Sequence, residues 1–523
     1  MGLGDNAFFW LNSWSSTAGM LLIFILWLFL WLTRREVDEA ERRTGIPAAG
    51  GALPLLGHLP QVFKLGVDDF EKKWLRKKKS KLLLSWFGNS PMITVTDPEV
   101  LKHVLVKEFS NFHDRPRRNY QMTQPPINKG LFFNHGDHWK RIRTIITPTF
   151  STGKLKGMNP DINRYSENLA DKMEKLAKSK EKVEIKRLCE GFTLDTISAT
   201  AFGLDVDCIN NPDGPFIKNM RSIFEKGIGV WRRIFFTLGN IFPTFIPVVR
   251  YFKMDYFDKD HLDFFIRHCQ AMIEDRKTRV SQRKDFLQLM VDAELEDKST
   301  TGPEVCNVPN KRLTNDEVVA QVFMLYLAGH ETTANTLTFV SYELALNQEV
   351  QDRVIQEIQD QIGEKEPTYE NTNKLKYMDQ VIMETLRMFP PLTRLYREIQ
   401  ETVTIGNYTF PKGWTVVVPV FSIHRDPEYW PDPERFDPGR FENPKSTQNK
   451  FFYIPFGQGP RICLGMRLAL LELKVSLVHV LKRVRLVPCE ETQMSLKPVT
   501  HKGTLISVER PIQLGLQLRQ NEH

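Results

Sequence analysis

The sequence predicts one large, mainly α-helical domain with small β-sheets, preceded by a single N-terminal transmembrane helix. Three observations support this prediction. No residue between Asp5 and Arg34 is charged, and beyond the first sixty positions no repeat or low-complexity tract interrupts the chain. Most of that body has helical periodicity, with a few short stretches of strand character. We divide the 523 residues into a membrane anchor at 1–33, a hinge at 34–60 and a globular domain at 61–523.

The uncharged N-terminal stretch is long enough to cross a bilayer. A spanning helix needs roughly 20 apolar residues, and Ala18 to Leu32 is almost purely Met, Leu, Ile, Phe and Trp. Because arginines follow this stretch and only Asp5 precedes it, the positive-inside rule keeps the rest of the chain in the cytosol. A cleaved signal peptide would need a basic start and a small-residue cleavage site after the apolar run. The sequence has neither, so we predict a retained anchor.

The hinge and the overall composition narrow the class of protein. Residues 34–60 combine arginines with many Gly and Pro, which favours a stiffened connection between membrane and body. The net charge of +8, from 71 basic and 63 acidic residues, is modest for this length. It argues against nucleic-acid binding and fits a protein near anionic lipid or an acidic partner. The six cysteines contain no C-x-x-C pair, so we expect no structural zinc site and no disulfide framework.

Within the body we predict two pairs of strands. The first pair is Leu82 to Phe87 with Met92 to Thr96, joined by a turn at residues 88–91 that contains Gly, Asn, Ser and Pro. The second pair is Val403 to Phe410 with Trp414 to Pro419. Both pairs are short, which is why the sheets are expected to be small.

The longest predicted helix runs from near Asn315 to about Asn347, and Thr314 with Glu317 forms a capping box at its start. It is apolar on nearly all sides, so it belongs in the middle of a core. Inside it, small residues precede an acid and an alcohol in the string Ala-Gly-His-Glu-Thr-Thr at 328–333. A helical Gly costs about 1 kcal/mol relative to Ala. Close approach of a flat ligand would explain the Gly, and so would a packing notch beside a Thr that bonds back to a carbonyl.

A second motif combines an acid and a base. Glu384 and Arg387 are three residues apart on one predicted helix, so they share a face. A buried pair of this kind would need further partners to offset its desolvation. The nearby Pro-x-Arg-Phe strings offer two candidates, Arg435 and Arg440.

The third motif is a tight loop rich in Gly and Pro that carries Cys463 and leads into a predicted helix. Backbone N–H groups at a helix N-terminus favour a thiolate and donate toward its sulfur. Gly459 and Gly465 would permit a planar ligand to approach the backbone, and Arg461 could meet an anionic group at the edge of that ligand. The alternative is a buried structural cysteine, against which the composition of the loop argues.

Together, in this order, the three motifs resemble the cytochrome P450 superfamily. The loop fits the family pattern F-x-x-G-x-R-x-C-x-G at every position, from Phe456 to Gly465. The resemblance covers essentially the whole chain. In finer detail, the segment from Trp139 to Leu155 looks like the drug- and steroid-oxidising animal branch.

The resemblance implies haem b as cofactor and a haem–thiolate catalytic domain at 61–523, with Cys463 as the axial ligand of the iron. It implies that four residues hold the haem propionates, Arg being suited to carboxylates: Trp139, Arg143, Arg397 and Arg461. Three further loop positions would shape the haem site: Phe456, Gly459 and Gly465.

The resemblance also assigns the other two motifs. Glu331 and Thr332 would deliver protons during oxygen activation. Glu384 and Arg387 would form a structural triad, for which Arg440 matches the family better than Arg435. The chain departs from the family pattern beside it, with Gly439 where Glu is usual.

The implied reaction inserts one oxygen atom of O2 into a lipophilic substrate of the steroid, fatty-acid or xenobiotic class. Electrons would come from NADPH through a separate flavoprotein reductase, with cytochrome b5 as a second candidate partner, at the cytosolic face of the endoplasmic reticulum membrane. The stretches 107–130 and 210–260 would line or cover the substrate pocket. An isomerase like thromboxane synthase, which needs neither O2 nor reductase, is the alternative, although it could dispense with the alcohol at position 332. A non-catalytic haem sensor is a third possibility.

Overall fold

The computed structural model describes residues 32–117, 123–225, 235, 238–239, 245–252, 257–278, 285–295, 312–443, 450–499 and 505–519. This part of the chain is mainly helical, with small sheets, as the sequence predicted. Residues 32–44 are helical, and the helices after them are α1 Leu59–Leu65, α2 Val67–Lys78, α3 Pro98–Lys102, α4 Gly136–Ile146, α5 Thr152–Ser179, α6 Ile185–Phe202, α7 Pro215–Glu225, α8 Ile246–Tyr251, α9 Lys259–Thr278, α10 Phe286–Leu295, α11 Asn315–Leu346, α12 Gln348–Gln361, α13 Tyr369–Thr372, α14 Lys376–Met388, α15 Val420–Ile423 and α16 Met466–Arg483.

The strands of the described residues form four sheets, with the orders β1-β2-β7-β4, β3-β11-β8, β5-β6 and β10-β9. Their bounds are β1 Leu82–Phe87, β2 Ser90–Val95, β3 Val183–Glu184, β4 Leu395–Glu398, β5 Val403–Ile405, β6 Tyr408–Phe410, β7 Thr415–Val418, β8 Val484–Val487, β9 Pro498–Val499, β10 Ser507–Val508 and β11 Gln513–Leu518. The largest sheet brings strands from the N-terminal quarter of the chain beside strands from its last third, and it positions Arg397 on β4.

The first predicted strand pair is confirmed, with a tighter turn than expected. Phe87 pairs with Ser90, so only Gly88 and Asn89 form the loop, and Gly88 has a φ of 63°. Pro91 lies inside β2 opposite Trp86 instead of in the turn. A Pro lacks the N–H that a ladder needs, but it is tolerated where a strand is paired on one side only. The partner on the other side of β2 first pairs at Met92.

The second predicted pair is wrong in its partners. The stretch 403–410 folds on itself as a hairpin of β5 and β6, because Gly406 adopts a φ of 59° and turns the chain there. The following strand, β7, joins the first sheet instead, parallel to β2 and antiparallel to β4. Strand propensity located these segments, but the partners depend on contacts distant in sequence.

The long central helix is confirmed as α11, and its N-terminus has the predicted capping box between Thr314 and Glu317. Most of its length is buried, and it packs along α6 between the two largest clusters of apolar side chains. The loop that carries Cys463 leads into α16, which packs against α5 and α11. The central helix and the cysteine loop are therefore held by one core.

The predicted membrane anchor cannot be compared with the structure, because residues 1–31 lie outside the described part. Within the residues that are described, no helix is both long enough and apolar enough to span a bilayer.

Candidate active site

The loop before α16 presents Cys463. The Cys463 amide donates to the Phe456 carbonyl at 2.9 Å, and the Ile462 amide donates to the Gly459 carbonyl at 2.9 Å. These two bonds fold the chain back on itself, so that Gly465 becomes the N-terminal cap residue of α16. The Cys463 side chain has exposed surface, whereas Cys189, Cys208 and Cys269 are buried.

The environment of Cys463 contains opposing influences on its pKa. Although part of the side chain is accessible, the surrounding protein atoms desolvate the sulfur, and this desolvation raises the pKa of the thiol most strongly. The amides of Gly465 and Met466 and the charge of Arg143 act in the opposite direction. The helix N-terminus therefore donates to the sulfur as the sequence predicted, but without overcoming desolvation. A coordinated metal ion deprotonates a thiol outright, so this donor set suits a metal-bound thiolate.

Gly459 lies against another backbone segment, whereas the sequence suggested that a planar ligand would approach it. Its φ is 77°, and a Cβ there would lie 1.9 Å from the backbone oxygen of Leu105. The glycine is thus required because the backbone turn at His103–Lys107 crosses the loop closely. At Gly465 a Cβ would lie 3.8 Å from the ring of Phe150, an ordinary contact. Contact of either glycine with a cofactor stays a prediction.

Four arginines meet beside this loop. Arg461 donates to the Asn134 carbonyl at 2.9 Å, and its guanidinium lies 4.3 Å from the centre of the Trp139 ring. Arg143 on α4 donates to the Ile462 carbonyl at 2.8 Å. Arg397 on β4 donates to the Tyr396 carbonyl at 2.8 Å. The structure thus places the residues predicted to hold propionates on three separate elements that converge.

The fourth arginine, Arg115, was not predicted. Burial lowers its pKa well below the usual value, and the charges of Arg461, Arg397 and Arg143 lower it further. Its guanidinium lies 3.9 Å from the centre of the Phe132 ring. The signal in the sequence was the basic run at 115–118 within a stretch otherwise interpreted as pocket lining. Sequence spacing alone does not bring this run beside positions more than 280 residues away.

The arginine cluster fits a doubly negative group. Nε of Arg397, and Nε and Nη1 of Arg461, are buried and make no hydrogen bond. Burial and the neighbouring charge of Arg397 lower the pKa of Arg461 to about 9. Asp114 is the carboxylate in contact with Arg461, at 3.5 Å, so the cluster has excess positive charge and unused donors. A haem with two propionates would supply both the missing charge and the missing acceptors.

The acid and the alcohol of α11 lie on different faces of the helix. The Thr332 hydroxyl donates to the Ala328 carbonyl at 2.7 Å. Met324, Ala328 and Thr332, each four residues apart, have accessible surface on a helix that is otherwise mostly buried. Glu331 is buried and accepts a hydrogen bond from Lys186 on α6 at 2.8 Å. The accessible stripe therefore carries the alcohol, whereas the acid faces α6.

Gly329 belongs to the packing of this helix. A Cβ at this position would lie 3.0 Å from the side chain of Ile197 on α6. The glycine therefore permits the close approach of a neighbouring helix. Together with the bond from Thr332 to a helix carbonyl, this supports the packing notch, the second of the two explanations that the sequence left open.

The Glu384 and Arg387 side chains form a fully buried bidentate pair, with distances of 2.7 and 2.9 Å. Arg440 places its Nε 3.3 Å from the same carboxylate. Arg435 contributes its backbone carbonyl, 3.4 Å from Arg387 Nη2. His424 adds a second carbonyl acceptor at 2.9 Å. Of the two candidates, Arg440 is thus the one whose guanidinium contacts the pair.

Comparisons with known proteins identify the family of the chain. The family model for cytochrome P450 matches residues 47–516. The chain is 35% identical to cytochrome P450 3A9 of Rattus norvegicus over 503 residues, which cover 95% of this chain and 96% of that protein. It is 37% identical to cytochrome P450 3A29 of Sus scrofa over 505 residues, covering 96% and 97%. It is 34% identical to cytochrome P450 3A5 of Homo sapiens over 505 residues, covering 95% and 96%.

These matches identify the chain as an oxidoreductase of the haem–thiolate class. It belongs to the cytochrome P450 family and is a cytochrome P450 monooxygenase. Membership of this family implies haem as the cofactor and O2 as a co-substrate.

Proposed function

We propose that this monooxygenase oxidises lipophilic substrates of the steroid, fatty-acid or xenobiotic class, with electrons from NADPH delivered by a separate flavoprotein reductase. The observation that carries the proposal is the convergence of four arginines, Arg115, Arg143, Arg397 and Arg461, beside the loop of Cys463. Such a set of donors suits the propionates, while the cysteine suits the iron.

Each predicted site residue would have a distinct task. Bound haem supplies the activation of O2 that no amino-acid side chain provides. Cys463 would ligate the iron, with its sulfur held by the amides of Gly465 and Met466. The Thr332 hydroxyl, on the accessible face of α11, would hold a proton at Oγ1, and Glu331 would resupply it. Proton transfer by positioned groups of this kind contributes about 10²- to 10⁴-fold to a rate.

The class of substrate is inferred from the apolar surroundings. On the accessible stripe of α11, the neighbours of Thr332 are Met324 and Ala328. In the stretch 210–260, the Phe235 ring lies 5.8 Å from that of Phe245 and 6.0 Å from that of Phe252. Apolar side chains with few convergent polar groups are typical of sites for lipophilic ligands. Several of the residues at 226–256 lie outside the described part of the chain.

The reductase is proposed from a basic groove close to the ligand loop. A depression of about 530 Å³ is lined by two arginines and five neutral residues: Arg143, Arg467, Thr144, Thr147, Pro148, Phe150 and Ser151. Arg143 also contacts the backbone immediately before Cys463, so this groove is a short path from the surface to the ligand. The charge of Arg467, which is exposed and is not among the arginines proposed for the propionates, suits an acidic electron-transfer partner. Cytochrome b5 is a second candidate for the same surface.

Attachment to the endoplasmic reticulum membrane is proposed from the sequence of residues 1–33 and from exposed apolar side chains. Phe63, Tyr251 and Phe252 are 71%, 83% and 57% exposed. Large apolar groups at this exposure suit contact with lipid. The hinge at 34–60 would hold the catalytic domain against the cytosolic face.

A labelling experiment tests the proposed reaction. The full-length protein in lipid vesicles receives NADPH, a flavoprotein reductase and 18O2, together with a panel of a steroid, a fatty acid and a drug. Mass spectrometry should find one labelled oxygen atom in a product, and omitting the reductase should abolish it. The isomerase alternative is tested in parallel with an organic peroxide as substrate. Rearrangement without reductase, and without labelled product, would reject the proposal.

The role of Cys463 is tested by spectroscopy. The reduced carbonyl complex of the wild type should absorb at the long-wavelength position typical of thiolate-ligated haem, and Cys463→Ala should abolish this band. Cys489→Ala is the matched control, because Cys489 is another cysteine with accessible surface. An unchanged spectrum in Cys463→Ala would contradict the assignment.

A further inference from the structure

A buried glutamine on α11 holds the loop at 129–134. Gln321 is 2% exposed, and its Oε1 accepts a hydrogen bond from the Leu131 amide at 2.7 Å. Its Nε2 donates to the Lys129 carbonyl at 2.8 Å and to the Glu317 carbonyl of its own helix at 3.0 Å. The amide therefore uses both its protons and its oxygen. Its orientation is fixed, because a reversed amide would set an NH2 group against the N–H of Leu131.

The same loop is held from the side of the arginine cluster. The Asn134 carbonyl accepts from Arg461 at 2.9 Å, and the Asn134 side chain donates to the Gly130 carbonyl at 3.1 Å. The guanidinium of Arg115 lies 3.9 Å from the centre of the Phe132 ring. Both arginines belong to the set proposed for the propionates. The loop therefore connects that set to α11.

The loop also packs against the first residue of the accessible stripe. A Cβ at Gly130 would lie 2.4 Å from Cγ of Met324, so only a glycine allows the loop to come this close to α11. Met324 precedes Thr332 by eight residues, which is about 12 Å along a helix that rises 1.5 Å per residue. A molecule that lies along the stripe with one end beside Thr332 would meet the loop at its other end.

We propose that the loop at 129–134 is the end wall of the substrate pocket, and that Gln321 is a positioning residue that fixes this wall. The position of the wall then determines which carbon atom of a substrate is oxidised. This inference rests on the proposed function, in which a lipophilic substrate lies beside Thr332.

The argument for Gln321 depends on where its two bonds to the loop lie. They hold the backbone on both sides of Gly130, the residue that contacts Met324. Without them the wall can move relative to α11, and a substrate can slide along the stripe. A lipophilic substrate presents many similar C–H bonds, so a small displacement changes which of them reacts. One neutral hydrogen bond contributes about 2- to 10-fold to an equilibrium.

Gln321→Met tests the inference, because it removes both bonds and keeps the length of the side chain. The full-length variant receives NADPH and a flavoprotein reductase in lipid vesicles, with a steroid that has several oxidisable positions. The ratio of the hydroxylated isomers should differ from that of the wild type by about 2- to 10-fold. Gln321→Asn, whose shorter amide cannot reach both backbone groups, is the second variant if Gln321→Met does not fold.

Gln351→Met is the matched control. Gln351 on α12 is also fully buried, and its Oε1 accepts from the Leu486 amide at 2.9 Å. Its Nε2 donates to the Leu486 carbonyl at 2.8 Å. This glutamine therefore holds the backbone of β8 in the way that Gln321 holds the loop. Gln351→Met should leave the ratio of isomers at the wild-type value.

Hydrogen exchange gives a readout that does not depend on activity. The Leu131 amide donates directly to Gln321, so its exchange in the haem-loaded enzyme should be about 2- to 10-fold faster in Gln321→Met. In Gln351→Met, the exchange at Leu131 should equal that of the wild type.

Three results would overturn the inference alone. The first is a wild-type ratio of isomers in Gln321→Met despite faster exchange at Leu131, and the second is unchanged exchange at Leu131. The third is an equal change of the ratio in Gln321→Met and Gln351→Met, which would indicate a general loosening of the fold. If the wild type forms no oxidised product from a steroid, a fatty acid or a drug, the proposed function is rejected, and the inference with it.

Discussion

At the scale of single residues, the Thr332 hydroxyl is the polar group on the accessible stripe of α11, and it donates to the Ala328 carbonyl of its own helix. We expect Thr332→Ala to leave stability nearly unchanged, but to divert electrons from NADPH into peroxide because proton delivery fails. Product and peroxide formed per NADPH are measured. Thr336→Ala is the control, since Thr336 makes the same type of bond one turn further along, at 2.8 Å, but is buried.

Equal coupling of NADPH to product in Thr332→Ala and the wild type would remove the proton-delivery role.

Arg115 is the residue that the structure adds to the site. Its loss should weaken haem binding, because one hydrogen bond to a charged group contributes about 1.5–3 kcal/mol, or about 10- to 100-fold in haem affinity. The rate of haem transfer to an excess of a haem-scavenging apoprotein measures this. Arg117→Met is the control, since the Arg117 side chain is 62% exposed and pairs with Glu398 at 3.8 Å. Similar haem loss from Arg115→Met and Arg117→Met would remove Arg115 from the site.

These residues show what sequence reasoning reaches at this scale. Cys463 and Thr332 could be predicted as site residues because each lies in a local sequence motif. Arg115 was missed because its partners, Arg397 and Arg461, come from distant parts of the chain. The same limit applies to Glu331, whose acidity the motif predicts but whose contact with Lys186 depends on the packing of α6 against α11.

At the scale of elements, the Glu384 and Arg387 pair fastens α14 to the segment at 435–440. Both side chains have no exposed surface, so Arg387→Met would leave a buried carboxylate without its main partner. We expect a loss of about 3–5 kcal/mol in the free energy of unfolding, measured as a lower denaturation midpoint and a lower yield of folded protein.

A second pair with the same spacing is the control for this prediction. Glu184 and Arg187 are also three residues apart and lie 2.9 Å from each other, but their side chains are 27% and 54% exposed. Arg187→Met should cost less than about 1 kcal/mol, because water already screens the pair. If the two substitutions had similar effects, the fastening role of Glu384 and Arg387 would be wrong.

Helix α11 and strand β7 show why the position of an element could be predicted from the sequence more accurately than its partners. Helix α11 was located almost to the residue because its capping box and apolar run are local signals. Strand β7 was located but given the wrong partner, because β2 and β4 lie more than 300 residues and about 20 residues away in sequence. Local propensity says that a segment is extended. It does not say which edge the segment joins.

At the scale of the whole molecule, the buried ionisable groups outside the site make stability depend on pH. Burial, followed by the charge of Glu384, raises the pKa of Glu343 to about 8. Burial alone raises the pKa of Glu472 to about 8. Burial lowers the pKa of His424 to about 3 and that of His479 to about 4. The glutamates and the histidines therefore affect stability in different pH ranges.

Whether each type of group stabilises or destabilises the fold as pH changes follows from the difference between its pKa in the folded and unfolded states. A histidine whose pKa is lowered in the folded state costs stability only as pH falls below its ordinary value of 6.5. A glutamate whose pKa is raised in the folded state contributes fully below its ordinary value of 4.5, and that contribution is lost as pH rises toward 8. Of these two types, therefore, only the glutamates change the free energy of unfolding between pH 6.5 and 8. Each glutamate lowers it by up to about 1.4 kcal/mol per pH unit.

Glu472→Gln isolates one of these groups on α16, the helix that follows the cysteine loop. Near pH 5 the protonated acid and the amide are similar, so the variant and the wild type should unfold at similar temperatures. As pH rises from 6.5 to 8, the wild type should lose stability that the amide retains, so the variant should become progressively the more stable of the two. The unfolding temperature of the full-length enzyme is measured at each pH, with Glu366→Gln at an exposed position as control. A difference between Glu472→Gln and the wild type that does not grow with pH would show that Glu472 is charged in the folded enzyme, and the packing around α16 would then have to accommodate that charge.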